Sequence, residues 1–341
     1  MGIYMRTRSP DIPVWVLNPD RNVGATCTPL YSTKNSKMKR RSFIQKTAVA
    51  TLLSSVGAFP LSAFAKEDLI KLTILHTNDV HSRIEPFPMD GSRNQGLGGA
   101  ARRASLIKKI RAEEEQVLLL DAGDIFQGTP YFNFFLGELE MKLMTAMKYD
   151  AATIGNHDFD AGVEGLYKQL PLAQFPILSC NYDCSDTLLV DRVQPYKIFN
   201  KGAIKIGVLG LGIELDGLVP EVLYKGVRYL DPIENANRYA TLLKEEEKCD
   251  LVICLSHLGY RYRENKVSDV ILAKESRNMD IIIGGHTHTF MKKAVSHRNA
   301  DDKEVIINQV GWAGMLLGRL DIYFERNKKG KCTTCDNLLV Q

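Results

Sequence analysis

The amino-acid sequence predicts an α/β layered domain, and three observations carry that expectation. Short apolar, strand-like runs alternate with helix-like stretches in which apolar residues recur at mixed spacings of three and four. Five of the runs end in loops rich in His, Asp, Asn and Gly. Near the C-terminus, strand-like segments at 304–310 and 315–325 and a turn at 327–330 add an antiparallel, mixed region.

In chain order, residues 72–75 lead into His76-Thr77-Asn78-Asp79-Val80-His81, and residues 117–120 into Asp121-Ala122-Gly123-Asp124. Residues 151–154 lead into Gly155-Asn156-His157-Asp158, residues 251–255 into Ser256-His257, and residues 281–283 into Gly284-Gly285-His286-Thr287-His288. Helices are expected at 99–115, 133–148 and 231–248. Open α/β sheets bind ligands at the C-terminal ends of their strands, so the polar clusters recur where a site is expected.

Residues 1–37 are polar, carry Pro10, Pro13, Pro19 and Pro29 and sustain no period, as expected of an ill-defined tail or a start codon placed too far upstream. Met38 is the better start. It precedes Lys39-Arg40-Arg41-Ser42-Phe43-Ile44-Gln45-Lys46, which resembles a twin-arginine export signal, and an uncharged, moderately apolar run over 47–65. Ala63-Phe64-Ala65 fits a signal-peptidase site, which assigns 38–65 to the signal and 66–341 to the mature domain. Gly57 and Pro60 argue for cleavage over a retained membrane anchor. The expected destination is the periplasm or the exterior, with the membrane engaged only for export.

A composition of 45% hydrophobic and 25% charged residues suits a packed domain and disfavours disorder. The net charge of +4 belongs to the leader, because the first 65 positions hold nine Lys or Arg against Asp11 and Asp20. From Lys66 onward the acids outnumber the bases, so a nucleic-acid polymer held on a broad basic surface is not an expected partner. Of the seven cysteines, only Cys332 and Cys335 form a Cys-x-x-Cys and no second pair answers it, which disfavours a zinc ribbon. Cys249 and Cys254 bracket a strand-like run and read as buried thiols, and no disulfide is assigned.

Five of the seven histidines, His81, His157, His257, His286 and His288, fall in the strand-end loops. One such histidine would read as a satisfied core or surface residue, whereas five together point to a site. In extended backbone, residues i and i+2 point the same way, so Asp79 and His81 can aim at one ion, and His286 and His288 can enter one cavity. Asp124 sits in Gly123-Asp124-x-x-x-Gly128, and its two oxygens can bridge neighbouring cations. Asn156 offers a neutral amide oxygen. His76 is expected at most behind the ligands, and His297 on the surface.

The ordered set Asp-x-His, Gly-Asp, Gly-Asn-His-Asp, His and Gly-His-x-His resembles the calcineurin-like metallophosphoesterase superfamily. Within it, Ile74-Leu75-His76-Thr77-Asn78-Asp79-Val80-His81, Gly155-Asn156-His157-Asp158-Phe159-Asp160 and Gly284-Gly285-His286-Thr287-His288 are similar to the catalytic domain of secreted bacterial 5'-nucleotidases. The resemblance spans about 69–325 and implies a four-layer αββα sandwich of two mixed sheets flanked by helices.

By the same resemblance, Asp79, His81 and His288 would hold one divalent ion, Asn156, His257 and His286 the other, and Asp124 would bridge them. Zinc, manganese, iron and cobalt all suit such ligands. Two ions offset by two carboxylates and one bound hydroxide leave a formal surplus of about one positive charge, which favours a phosphate anion. Such a pair can acidify water for in-line attack on a phosphate ester. His157 resembles the family's catalytic histidine and Asp160 its carboxylate partner, and Asn156 and His157 are the candidate substrate contacts. Asp158 reads as loop or surface structure.

Other features carry blander expectations. Gly96-Leu97-Gly98-Gly99 reads as a turn opening a helix, Tyr131-Phe132-Asn133-Phe134-Phe135 as helix core, and Arg261 and Arg263 as solvated. The leading expectation is an exported phosphate monoesterase, with a 5'-nucleotide as the expected substrate. The same centre acting on a cyclic nucleotide, a nucleoside diphosphate sugar or a sulfur conjugate is the enzyme alternative, and a non-catalytic binding module the other. Complete 5'-nucleotidases of this kind have a second domain that grips the nucleotide, and the expectation here is that a companion chain supplies it.

Overall fold

The computed structural model describes residues 69–325 and 331–341, together with a two-residue strand, Thr28–Pro29. The rest of the expected tail, the signal segment and the turn at 327–330 lie outside the described residues.

Two mixed sheets form the centre. The first runs in the order Thr28–Pro29, Lys331–Leu339, Leu316–Glu325, Leu69–Thr77, Val117–Asp121, Ala151–Thr153, Ile177–Leu178, Val193–Gln194. Leu69–Thr77, Val117–Asp121 and Ala151–Thr153 are parallel, and Leu316–Glu325 pairs antiparallel with Leu69–Thr77. The second sheet runs Val295–Arg298, Glu304–Asn308, Ile281–Gly284, Leu251–Ser256, Ile204–Leu211, Tyr196–Lys201, with its four inner strands parallel and both edges antiparallel.

Side-chain alternation along these strands builds three apolar layers. Leu72, Ile74, Leu118 and Leu120 of the first sheet meet Ile206, Val208, Ile253 and Ile283 of the second in the layer between the sheets. Leu75 and Leu119 point the other way, onto Ile107, Ile110, Met141 and Leu166 of the outer helices. Leu209, Val252, Cys254 and Ile282 pack against Ala236, Ala240 and Leu272 on the far side. Three cores between four layers give the expected αββα sandwich. Each fully buried Leu or Ile contributes roughly 1.5–3 kcal/mol, which explains why strands buried on both faces are continuously apolar.

One polar seam crosses the middle layer. His76 of the first sheet is fully buried and its Nε2 lies 2.9 Å from Asn308 Nδ2 of the second, whose amide also donates to Asn337 Oδ1 at 2.9 Å. Burial lowers the His76 pKa to about 3, so the ring is neutral. His76 is thus no ligand, in keeping with an expectation that put it at most behind them, and it belongs to the seam. His297 is also not an exposed residue, being half-buried with its Nε2 enclosed.

The expected helix at 99–115 is Ala100–Glu113, opened by Gly99 at φ 98°, where a Cβ would crowd Pro86 at 3.1 Å, which is the turn the glycine cluster predicts. The expected helix at 133–148 is two helices, Pro130–Phe135 and Glu138–Ala146. Leu136 and Gly137 between them are left-handed, which breaks the helix, and a Cβ on Gly137 would clash with the Phe126 ring, so only glycine fits there. The third is Pro232–Thr241, capped by Asp231 accepting from the Glu234 amide, and continued by a π-helical turn, Leu242–Glu246. Among the described residues no helix is long and apolar enough to cross a membrane. Cys180, Cys184, Cys249 and Cys254 are buried free thiols.

Candidate metal centre

All seven expected ligands come together where the parallel strands of the two sheets end. Asp79, His81 and His288 form one group able to hold an ion, and Asp124, His257 and His286 a second. In the first, His288 Nε2 lies 3.3 Å from Asp79 Oδ1 and 3.0 Å from His81 Nε2. In the second, His257 Nε2 lies 3.1 Å from Asp124 Oδ2, and Asn156 Oδ1 stands 2.9 Å from His286 Nδ1. Asp124 Oδ2 also faces His81 Nε2 at 3.8 Å, so one carboxylate looks toward both groups.

The backbone that aims these side chains is not the extended one the sequence suggested. Asp79, His81, Asp124, His286 and His288 have φ of 50°, 51°, 56°, 69° and 51°. Left-handed backbone costs a non-glycine residue on the order of 1 kcal/mol or more, and it persists only where surroundings enforce it. Here Asp79 N donates to Gly123 O at 2.9 Å and His81 N to Asp124 O at 3.1 Å, which zips the first two loops together. Gly155 leaves space for Asp124, whose Oδ1 lies 2.1 Å from where a Cβ would stand.

Asp158 corrects its expectation as a surface residue. It is buried and its carboxylate accepts from the amides of Asp124, Ile125, Phe126 and Gly155 at 2.8–3.1 Å. Burial, reinforced by the Asp124 charge, raises its pKa to about 7. Its role became visible only in the fold, because three of those amides lie more than thirty residues earlier.

Other supports were also missed. Asn78 donates to Asp79 Oδ2 and to Gly311 O, each at 2.6 Å, and accepts from Val310 N at 2.9 Å. Gln309 donates to Gly285 O and accepts from Thr289 N at 2.5 Å and Thr287 Oγ1 at 3.1 Å, so one amide grips the 284–289 turn. The apolar run over 305–307 ending in Asn308-Gln309 repeats the strand-end pattern and was the available signal.

The donor set fits divalent ions. Imidazole nitrogens, carboxylates and one amide oxygen converge without thiolate. The buried His257 Nε2 faces Asp124 Oδ2 at 3.1 Å and meets no other polar partner, while its Nδ1 donates to Ala122 O at 2.7 Å. That bond orients the ring and leaves Nε2 aimed into the site, toward the Asp124 and Asp79 carboxylates. Burial alone would lower the His257 pKa, but the Asp124 and Asp79 carboxylates outweigh it and hold it at about 10, so the pocket is built for positive charge.

His157 stands at the rim, half-exposed, its ring centroid 5.3 Å from that of His81. Its backbone N donates to Asp124 Oδ1 at 2.8 Å and its Nδ1 to Asp160 Oδ2 at 2.8 Å. The Asp160 hydrogen bond raises the His157 pKa above its ordinary value, ahead of the opposing effect of burial. Arg261 and Arg263 are exposed, as expected. The aromatic run is not uniformly core: Phe132 is buried, but Phe134 is 79% exposed.

A family model described as calcineurin-like phosphoesterase matches residues 72–290. The chain is 35% identical over 277 residues to a snake venom 5'-nucleotidase from Crotalus adamanteus, covering 75% of this chain and 45% of that protein. It is 36% identical over 257 residues to a 5'-nucleotidase from Vibrio cholerae, covering 72% and 45%. Among solved structures, a 5'-nucleotidase precursor from Thermus thermophilus superposes with a TM-score of 0.71 at 30% identity, covering 80% of this chain and 55% of that one. The chain thus spans about half the length of the curated relatives it matches.

Proposed function

Since this chain belongs to the calcineurin-like phosphoesterase family, we propose that it hydrolyses phosphate monoesters, 5'-nucleotides among them, by in-line attack of water at a dinuclear metal centre. The observation that carries the reading is the convergence of two groups of ligands side by side, Asp124 facing both, with the His157–Asp160 pair beside them.

Asp79, His81 and His288 would hold one ion and Asn156, His257 and His286 the other, with Asp124 shared. Two divalent ions there supply charge neutralisation for the phosphoryl oxygens and lower the pKa of water. The chain's own residues do the rest. Asp160 accepts from His157 Nδ1 and favours the imidazolium, which leaves Nε2–H to donate to a phosphoryl oxygen or to the departing alkoxide. Asn156 and His157, adjacent on one turn, would position the phosphoryl group. Asp158, by fixing the amides of 124–126 and 155, holds both loops in register without touching substrate.

These groups address the phosphoryl end only. Selection of a nucleoside requires remote contacts whose binding energy is realised in the transition state, and we assign those contacts to a further domain or a companion chain. The test compares turnover of an aryl phosphate with that of several nucleoside monophosphates on the metal-loaded protein. Aryl phosphate hydrolysis with little preference among nucleotides is expected. No turnover of any monoester would contradict the function, and high selectivity for one nucleotide would contradict the assignment of the remote contacts.

The Lys39–Lys46 stretch supports export by a twin-arginine route, which we also propose. Arg40→Lys with Arg41→Lys should strand the protein in the cytoplasm, and normal periplasmic amounts of that variant would overturn the route.

A further inference from the structure

We propose that Trp312 is a positioning residue for His288, fixing its imidazole plane and thereby setting how firmly the group Asp79, His81 and His288 holds an ion. The inference rests on the dimetal reading above.

His288 is oriented unlike the other histidines of the cavity. His257 Nδ1 donates to Ala122 O, His157 Nδ1 to Asp160, and His81 Nδ1 lies 3.3 Å from Phe126 O. No described residue bonds Nδ1 of His288, whose side chain is 40% exposed. Its ring instead lies parallel to the Trp312 indole, with planes 10° apart and centroids 5.7 Å apart. Phe87 braces the indole edge-on at 5.8 Å and 77°, and the Arg83 guanidinium stands 4.2 Å from the Phe87 ring. Offset stacking of this kind is attractive beyond the area it buries.

The backbone beneath the indole is fastened to the loop that carries Asp79. Ala313 N donates to Asp79 O at 2.7 Å, Gly311 O accepts from Asn78 Nδ2 at 2.6 Å, and Val310 N donates to Asn78 Oδ1 at 2.9 Å. The indole therefore sits at a fixed place relative to Asp79, and a ring stacked on it is held with Nε2 toward Asp79 Oδ1. A ligating histidine ordinarily takes its orientation from a hydrogen bond at its other nitrogen, and removing such a partner costs about 10–100-fold in metal affinity. At His288 the stack replaces that bond, so a loss near the lower end of the range is expected.

The experiment titrates Co²⁺ into metal-stripped protein and resolves the two binding events by calorimetry, for the wild type, Trp312→Ala and Trp312→Phe. The chain has two tryptophans, Trp15 and Trp312. In a Trp15→Phe background the emission is therefore that of Trp312, and its quenching marks the ion nearest His288. The expected result is that Trp312→Ala weakens one event about 10-fold and spares the other, Trp312→Phe restores most of the loss, and quenching accompanies the affected event. Wild-type affinity for both ions in Trp312→Ala would overturn the inference while leaving the dimetal reading intact. Equal weakening of both events, or no recovery in Trp312→Phe, would overturn it too. A wild type that binds no Co²⁺ would defeat the dimetal reading itself and this inference with it.

Discussion

The loops leaving the first sheet and those leaving the second close over one cavity, but they are held in different ways. On the first-sheet side the Asp79 and Asp124 carboxylates are buried, the two loops are zipped backbone to backbone, and Asp158 anchors four amides from beneath. The second-sheet turn at 284–288 is gripped from outside, by Gln309 and by the Trp312 stack, and it ends at the half-exposed His288. A buried, hydrogen-bonded acid frame is preorganised, whereas a histidine oriented by stacking keeps more freedom. Each ion group draws on both sides, but the Asp124 group contains the fully buried His257 whereas the Asp79 group ends in the half-exposed His288, so the ion of the Asp124 group should be bound more tightly.

The largest effect expected on this contrast is at the rim. His157→Ala should lower monoester turnover by about 10²-fold or more, the scale of a general acid or charge-stabilising group, while metal content stays at the wild-type level. His157 would belong to the ligand frame instead if lost metal accounts for the whole fall.

A smaller effect concerns the seam that joins the two halves. His76 is neutral in the fold with a pKa lowered to about 3, and an unfolded histidine titrates near 6.5. Above about pH 6.5 neither state is protonated there and His76 has no pH effect. As pH falls from 6.5 toward 3 the unfolded chain gains a proton that the folded chain does not, so stability is lost at up to roughly 1.4 kcal/mol per pH unit. His76→Asn should be less stable at pH 7 but lose less on acidification, as read from urea midpoints between pH 7 and pH 5. Parallel pH dependences would remove His76 from the acid response.

Much of the centre was legible in the sequence because its ligands sit at strand ends, where an apolar run stops abruptly at His, Asp or Asn. The four-layer arrangement came from the family resemblance and not from periodicity, since runs such as 251–255 are apolar on both faces and hide which residue enters which layer. The left-handed backbone at Asp79, His81, Asp124, His286 and His288 was invisible because none of these is glycine. Asp158, Gln309 and Trp312 were missed for another reason. Their partners are brought near only by the fold: Asp158 meets the amides of 124–126, and Trp312 meets His288 beyond the ends of the paired strands Ile281–Gly284 and Glu304–Asn308. The break at Leu136 did carry a signal, the glycine that follows it, which the helical spacing of the surrounding residues outweighed.

Elemental analysis of the purified, metal-replete protein, and of two variants dialysed against a weak chelator, decides whether the chain holds a dinuclear centre whose two ions are unequally held. About two divalent ions per chain are expected in the wild type. His288→Ala should retain about one ion through the dialysis, while His257→Ala, which opens the buried group, should retain less. Near-zero metal in the wild type, or greater loss from His288→Ala than from His257→Ala, would contradict that arrangement.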